Sequence, residues 1–404
     1  MEYNARSWGV GTRNFHNRLF LLVMDSVGIG AAPDAGDFGD SGSATLQHIL
    51  AEAAPVLPTL AGLGMGNIMR EPGLLPPAPS PLASFGRLQP AGAAKDTTTG
   101  HWELMGVIRK TAPRTYPGGF PPELVEELER RIGRGVLGNK PASGTEIIEE
   151  LGAEHLQTGK VIVYTSADSV LQVAAHEEVV PPEELYRICR IARDLTHGEY
   201  EVDRVIARPF VGAPEVGFRR TEGRRDFGLP PPFNCLDALS EAGVAVTLVG
   251  KLEDIFAGRG FNRSLHTTNS RATGDALLKL KREDRPGFVF ANFIDFDMLY
   301  GHRNDVEGYA RELAWFDGWL AGFTADWNPA DLLLLTADHG NDPTTASTDH
   351  SREYVPLLAF TGSGPGRDLG TRSSFADVGA TALEAFRVNQ PAGIAGTSFY
   401  ANIA

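Results

Sequence analysis

At 404 residues the chain exceeds what one compact core usually holds, so two domains are the starting expectation. With 42% apolar and 22% charged residues it has the composition of an ordinary soluble globular protein. Its net charge of −14 argues against nucleic acid as the main partner, because a phosphate backbone needs a basic face, but it leaves room for a small phosphorylated ligand met by local cations.

In chain order, residues 1–17 read as a loose extension. The apolar run LFLLVM (19–24) is too short to span a bilayer, stops at Asp25, and follows a polar stretch with no small-residue cleavage pattern. Neither a membrane nor a signal peptide is expected. Cys189 and Cys235 lie far apart with no CxxC pair, which points to a reducing cytoplasm.

Further apolar runs follow: VAVTLV (244–249), GFVFANF (287–293), DLLLLT (331–336) and VPLLAF (355–360). Short runs of this kind are typical of strands buried on both faces of a parallel sheet. Helical patterns lie between or after them, at Cys235–Ala242, Gly274–Arg282, Val306–Phe323 and Ala376–Phe386. Alternation of strand and helix predicts an α/β fold around a largely parallel central sheet. The middle of the chain has its own helices (Glu123–Ile132, Glu146–Leu151, Glu183–Leu195) and strands (Val161–Tyr164, Val205–Ala207). It is expected to be a smaller α/β domain, residues 109–221, inserted into a core made of 1–108 and 222–404.

In an open α/β sheet, ligands bind beyond the carboxyl ends of the strands. Asp25 follows the first run; Asp295, Asp297 and His302 follow GFVFANF; Asp338 and His339 follow DLLLLT; and His350 precedes VPLLAF. Taken singly, an aspartate at a strand end is usually a turn former or helix cap, and a loop histidine is usually solvated. Together they change the reading. Clustered carboxylates repel one another without cations, and mixed carboxylate and imidazole ligands suit divalent manganese, zinc or iron. The set is large enough for two ions, which is an apparatus for phosphoryl transfer.

A nucleophile is then required, and KDTTTGHWE (95–103) offers Thr97, Thr98 and Thr99, whose weak hydroxyls a metal would activate. Spacing does not choose among them, and the same run also reads as a Thr-rich helix N-cap with Glu103 in the first turn.

Several long stretches, in order, resemble the phosphopentomutases of the alkaline phosphatase superfamily: VMDSVGIG (23–30), KDTTTGHWELMG (95–106), GNKPASGTEII (138–148), VYTSADSVLQVAAHEEVV (163–180), RVIARPFVG (204–212), FIDFDMLYGHR (293–303) and TADHGNDPTTASTDHSREYVPLL (336–358). The resemblance implies an alkaline-phosphatase-like core sandwich with an inserted cap domain. It implies two manganese ions, one on Asp25, Asp338, His339 and the nucleophilic threonine, the other on Asp297, His302 and His350. It selects Thr97 as the nucleophile and Asp297 over Asp295, and it makes Ser166, Asp168, Arg204 and Lys251 contacts to the substrate. The implied activity interconverts ribose or deoxyribose 1-phosphate and 5-phosphate through a phosphothreonine and a bisphosphate, in nucleoside salvage, with a sugar bisphosphate such as glucose 1,6-bisphosphate as activator. Another phosphomutase or a phosphatase of the same superfamily is the alternative. Small pentose phosphates are the expected partners, with no obligate protein partner evident. One departure stands out: where relatives usually read Gly-Ser-Asp-Thr, this chain has Ser43-Ala44-Thr45.

Overall fold

The computed structural model describes residues 16–69, 73–166 and 168–403, so most of the expected extension over residues 1–17 lies outside the described residues. Its last two residues are not loose: His16 Nδ1 sits 2.8 Å from the Tyr400 hydroxyl, and the Asn17 amide donates to Ala330 O at 2.7 Å. Among the described residues no helix is long and apolar enough to cross a membrane.

Among the described residues there are fourteen strands, numbered here in chain order: β1 Arg18–Met24, β2 Ser84–Leu88, β3 Val136–Pro141, β4 Val161–Thr165, β5 Val170–His176, β6 Arg204–Ala213, β7 Gly217–Arg220, β8 Arg225–Gly228, β9 Val246–Val249, β10 Arg263–Leu265, β11 Gly287–Phe293, β12 Asp331–Thr336, β13 Val355–Phe360 and β14 Asp368–Arg372. The chain divides into two compact units. The first holds residues 1–108, 233–252 and 260–404, and the second holds 109–232 and 253–259. The expected boundary at residue 221 falls short of β8, which pairs antiparallel with β6 and so carries the second unit on to Pro232.

The first unit is built on an eight-stranded sheet in the order β10-β9-β11-β1-β12-β13-β2-β14. Every residue of β1, β11, β12 and β13 is buried, as continuous apolar runs require when both faces are covered. The sheet is largely parallel, as expected. β13 alone runs against its neighbours, pairing antiparallel with β12 and with β2. That reversal corrects the reading of VPLLAF as another parallel strand. It also matters for the site, because the residues that lead into β13 lie at the edge where β1, β2, β9, β11 and β12 end.

The second unit has a six-stranded mixed sheet in the order β3-β4-β5-β6-β7, with β8 paired to β6. The helices Pro122–Ile132 and Pro182–Leu195 pack Leu124, Leu128, Leu185 and Ile188 onto it, in one cluster with Val161, Val173 and Val205.

Candidate metal centre

The carboxyl ends of the strands in the first unit carry the titratable residues singled out above. Asp25 follows β1 directly, and its amide donates to Phe293 O at 3.2 Å. The next residue, Ser26, has φ 72°, a left-handed conformation that is costly for serine and common at functional sites. This turn aims the Ser26 amide at Asp338 Oδ1, 3.1 Å away, and brings its hydroxyl to 3.0 Å from Tyr309.

Beyond β11 the chain makes a π-helical turn at Phe296–Tyr300 and a 3₁₀ turn at Gly301–Arg303. The first carries Asp297 and the second His302, whose Nε2 lies 3.1 Å from Asp297 Oδ2. β12 delivers Asp338 and His339. His350 arrives on the loop before the antiparallel β13 and places Nε2 3.5 Å from Asp297 Oδ1.

Two groups of ligand atoms result, each with members within 4.8 Å of one another: Asp25 with Asp338 and His339, and Asp297 with His339 and His350. His339 belongs to both. His302 joins through Asp297, and its ring centroid is 4.7 Å from that of His350. Asp295, by contrast, accepts from the Ser270 amide at 2.9 Å and holds the start of the neighbouring helix Ser270–Glu283.

The electrostatics of this cluster call for cations. Asp25, Asp297 and Asp338 are all nearly inaccessible to solvent. Burial, and then the charge of Asp338, push the Asp25 carboxyl well above the usual carboxylate range. Burial would raise Asp297 as well, but the His302 and His350 imidazoles beside it carry it well below. His339, although buried, is raised to about 10 by Asp338 and Asp25, so a proton on its ring partly answers the acidic crowd.

Asp25 Oδ1, Asp338 Oδ2 and His350 Nε2 are buried with no hydrogen bond of good geometry, which buried polar atoms rarely tolerate. The imidazoles are turned to suit a ligand role. His302 Nδ1 lies 2.7 Å from Thr348 O and His339 Nδ1 3.1 Å from Gly340 O. A carbonyl only accepts, so Nδ1 carries a proton in each, and Nε2, the nitrogen that faces the carboxylates, is the one left to bind a metal once its own proton is displaced. The donor set therefore fits divalent ions.

Thr97 is the first residue of the helix Thr97–Leu104. The N-cap is Asp96, which accepts from the Thr99 amide at 3.0 Å and from the Thr99 hydroxyl at 2.6 Å. Glu103 sits in the last turn of this helix, not the first. There it accepts from the amides of Ala91, Gly92 and Phe375 and from the Ser374 hydroxyl. Thr97 Oγ1 lies 3.0 Å from His339 Nε2, whereas the Thr99 hydroxyl is spent on Asp96. Gly100 makes the approach possible, because a Cβ at that position would run into the carbonyl of Asp338.

Several contributors were not singled out in the sequence. Asn292 donates to Asp25 Oδ2 at 2.9 Å, and Asn341 to Asp297 Oδ1 at 2.8 Å. His101 is fully buried, with Nδ1 2.9 Å from Thr97 O and 3.1 Å from Asp338 Oδ2. Arg352 donates to Asp34, to Ala94 O at 2.9 Å and to Pro90 O at 3.2 Å, tying the loop after His350 to the loop before Thr97. Asn292 had a readable signal, a polar side chain inside the otherwise apolar run GFVFANF. Arg352 had none, since its partners, the Asp34 carboxylate and the carbonyls of Pro90 and Ala94, lie far from it in sequence.

The Ala44 departure also has an account. Ala44 is the N-cap of the helix Thr45–Ala53 and supplies no side-chain cap. Asp342 accepts from the Ala44 amide at 2.9 Å instead, and Glu353 from the Thr45 amide at 3.0 Å and the Thr45 hydroxyl at 2.7 Å.

Of the residues expected to touch substrate, Ser166, Asp168 and Arg204 line one pocket of the second unit. Lys251 belongs to the first unit, just past β9, with Nζ 3.2 Å from Met298 Sδ.

Residues 17–390 match the model of the metalloenzyme superfamily. The phosphopentomutase of Caldanaerobacter subterraneus subsp. tengcongensis is 54% identical over 374 residues, 92% of this chain and 94% of that protein. The phosphopentomutase of Anaeromyxobacter sp. (strain K) is 53% identical over 392 residues, 96% of this chain and 99% of that protein. Among solved structures, a phosphoglycerate mutase of Leishmania mexicana, crystallised at low cobalt concentration, superposes with a TM-score of 0.50 at 14% identity, covering 98% of this chain and 99% of that one, which is a likeness of fold. Membership of a metalloenzyme superfamily and the buried ligand clusters agree: the protein uses metal.

Proposed function

The chain belongs to the phosphopentomutase family of the metalloenzyme superfamily, and from that premise we propose how its residues move a phosphoryl group between two positions of a pentose. As a member it is an isomerase, an intramolecular phosphotransferase. The substrates are ribose 1-phosphate or deoxyribose 1-phosphate and the corresponding 5-phosphates.

Asp25, Asp338 and His339, with Thr97, would hold one manganese ion, and Asp297, His302 and His350 the second; bound there, the ions would neutralise charge developing on the phosphoryl group and make the Thr97 hydroxyl easier to deprotonate. Thr97 Oγ1 forms a bond to phosphorus as the bond to the donor oxygen breaks, the first donor being a sugar bisphosphate such as glucose 1,6-bisphosphate. The phosphothreonine passes the group to the free hydroxyl of the substrate, giving a pentose bisphosphate. That intermediate returns its other phosphate to Thr97 and leaves as the isomer.

Asn292 and Asn341 fix the carboxylates of Asp25 and Asp297, and the His101 imidazole holds the first turn of the nucleophile helix against Asp338. The second unit acts as the substrate domain. Ser166 and Arg204 meet the phosphate of the sugar, Asp168 accepts from its hydroxyls, and Lys251 adds a cation. Exclusion of water from the phosphothreonine separates a mutase from a phosphatase on such a scaffold. Both cysteines are buried and unpaired, which supports the cytoplasm as the compartment.

One observation carries this reading: Thr97 Oγ1 stands 3.0 Å from His339 Nε2, beside buried carboxylate oxygens that have no hydrogen-bond partner. Mass spectrometry of the manganese-loaded enzyme after brief exposure to a sugar bisphosphate tests it. A phosphate on the peptide containing Thr97, and on that residue, is expected. Phosphate on another residue, or on none while isomerisation proceeds, would defeat it.

A further inference from the structure

Glu353 lies three residues past His350 and belongs to neither group of ligand atoms. It is 1% exposed, a costly place for a carboxylate unless hydrogen bonds hold it there. Four do. Its Oε2 accepts from the amides of Gly30 and Thr45, each at 3.0 Å, and its Oε1 from the hydroxyls of Thr45 and Ser351, each at 2.7 Å. Two glycines make room for it. A Cβ on Gly28 would stand 2.3 Å from Oε2, and a Cβ on Gly340 2.5 Å from Oε1.

Every stretch that meets this carboxylate carries a member of the metal centre. Gly28 and Gly30 lie in the turn that follows Asp25, Gly340 comes directly after His339, and Ser351 directly after His350. Asp297 is reached through one more link. The Thr45 hydroxyl accepts from the Asn341 amide at 3.1 Å, and the Asn341 side chain donates to Asp297 Oδ1 at 2.8 Å. The backbone closes the same frame: Gly340 and Ser351 exchange hydrogen bonds of 3.1 and 2.7 Å, and Ala31 bridges antiparallel to Glu353. One side chain thus ties the supports of Asp25, of His339, and of Asp297 with His350.

We propose that Glu353 is a positioning residue that sets the separation of the two ligand groups, and through it the separation of the cations they take. The inference rests on the functional reading in one respect, that both groups hold an ion. Two-metal phosphoryl transfer needs its ions about 3.5–4 Å apart, so a small shift of one group against the other is costly. A carboxylate suits the task because both of its oxygens only accept, which lets it gather donors from several stretches at once. A glutamine of the same size has a single acceptor oxygen and cannot hold all four.

The test is a manganese titration of the full chain followed by electron paramagnetic resonance, with steady-state kinetics alongside. Manganese-saturated wild type is expected to give the signal of a spin-coupled pair. Glu353→Gln should lose that signal for the spectrum of isolated ions and bind manganese about tenfold or more weakly at one of the two groups. Its kcat should fall about tenfold to a hundredfold while KM for ribose 5-phosphate stays within about threefold. Thr45→Val removes the hydroxyl shared with Asn341 and should uncouple the ions too, whereas Thr45→Ser should keep them coupled. Should Glu353→Gln fail to fold, by circular dichroism, the Thr45 pair decides.

A coupled signal unchanged in Glu353→Gln and Thr45→Val overturns the inference. So does a variant that melts earlier yet keeps wild-type coupling and kcat, since Glu353 would then serve stability alone. In both cases a coupled wild type leaves the functional reading standing. A wild type that never shows a coupled pair, however much manganese is added, removes the two-ion reading and this inference with it.

Discussion

Thr97 Oγ1 and His339 Nε2 stand 3.0 Å apart although 242 residues separate them in sequence. The neighbouring Thr99 has its hydroxyl 2.6 Å from Asp96 and is nearly inaccessible. Removing the three hydroxyls one at a time should therefore have unequal effects. Thr97→Ala is expected to lower kcat on the order of a thousandfold or more, because the proposed carrier of the phosphate is gone. Thr98→Ala should stay within about tenfold of wild type, and Thr99→Ala should mainly cost stability, about 1 kcal/mol for its hydrogen bond. Steady-state kinetics with urea denaturation checks this, and equal loss in all three would place the nucleophile elsewhere.

Gly100 lets the nucleophile helix rest on the Asp338 carbonyl. Gly100→Ala should destabilise the first unit by roughly 1–3 kcal/mol, the usual cost of overpacking. It should also weaken manganese binding, since Asp338 has to move. Denaturation midpoints with and without manganese would show both effects. A variant that loses neither would mean that the backbone yields freely here.

Metal removal should be visible in stability as well as activity. The cluster concentrates buried carboxylates whose charge goes unanswered without cations. An ion present at 100 times its Kd adds about 2.7 kcal/mol to the folded state. A chelator should lower Tm and abolish activity, and manganese should restore both. An unchanged Tm in the stripped enzyme would contradict the placement of the ions.

The second unit should lose stability in mild acid. His155 is buried between two backbone groups: its Nδ1 meets Lys160 O, and its Nε2 accepts from the His176 amide at 2.8 Å. Burial lowers its pKa below the ordinary 6.5. The unfolded chain therefore takes up the proton first as pH falls. The contribution of this histidine is complete above about pH 6.5 and shrinks as pH drops towards the folded-state value. Melting curves from pH 8 to 5 should show a decline that is shallower in His155→Gln. Parallel curves for the two proteins would rule His155 out as the cause.

Much of the site was legible because its chemistry sits at strand ends. The runs LFLLVM, GFVFANF and DLLLLT are buried on both faces, and the residues after them fall at one edge whatever the details of packing. His350 is the instructive case. It precedes its strand, and in an all-parallel sheet it would have landed at the far edge. The antiparallel run of β13 brings it to the others, and no periodicity in VPLLAF announces that direction. The choice among Thr97, Thr98 and Thr99 was equally hidden, because it depends on which hydroxyl Asp96 captures. Arg352 and Glu353 act through backbone groups and caps far away in sequence, so spacing alone does not expose them.

The most direct measurement is phosphorus NMR of ribose 1-phosphate incubated with the manganese-loaded enzyme and a trace of sugar bisphosphate. The 1-phosphate resonance should be replaced by that of the 5-phosphate, with little inorganic phosphate released. A growing inorganic phosphate signal without any 5-phosphate would show that water, not the pentose, receives the group from Thr97.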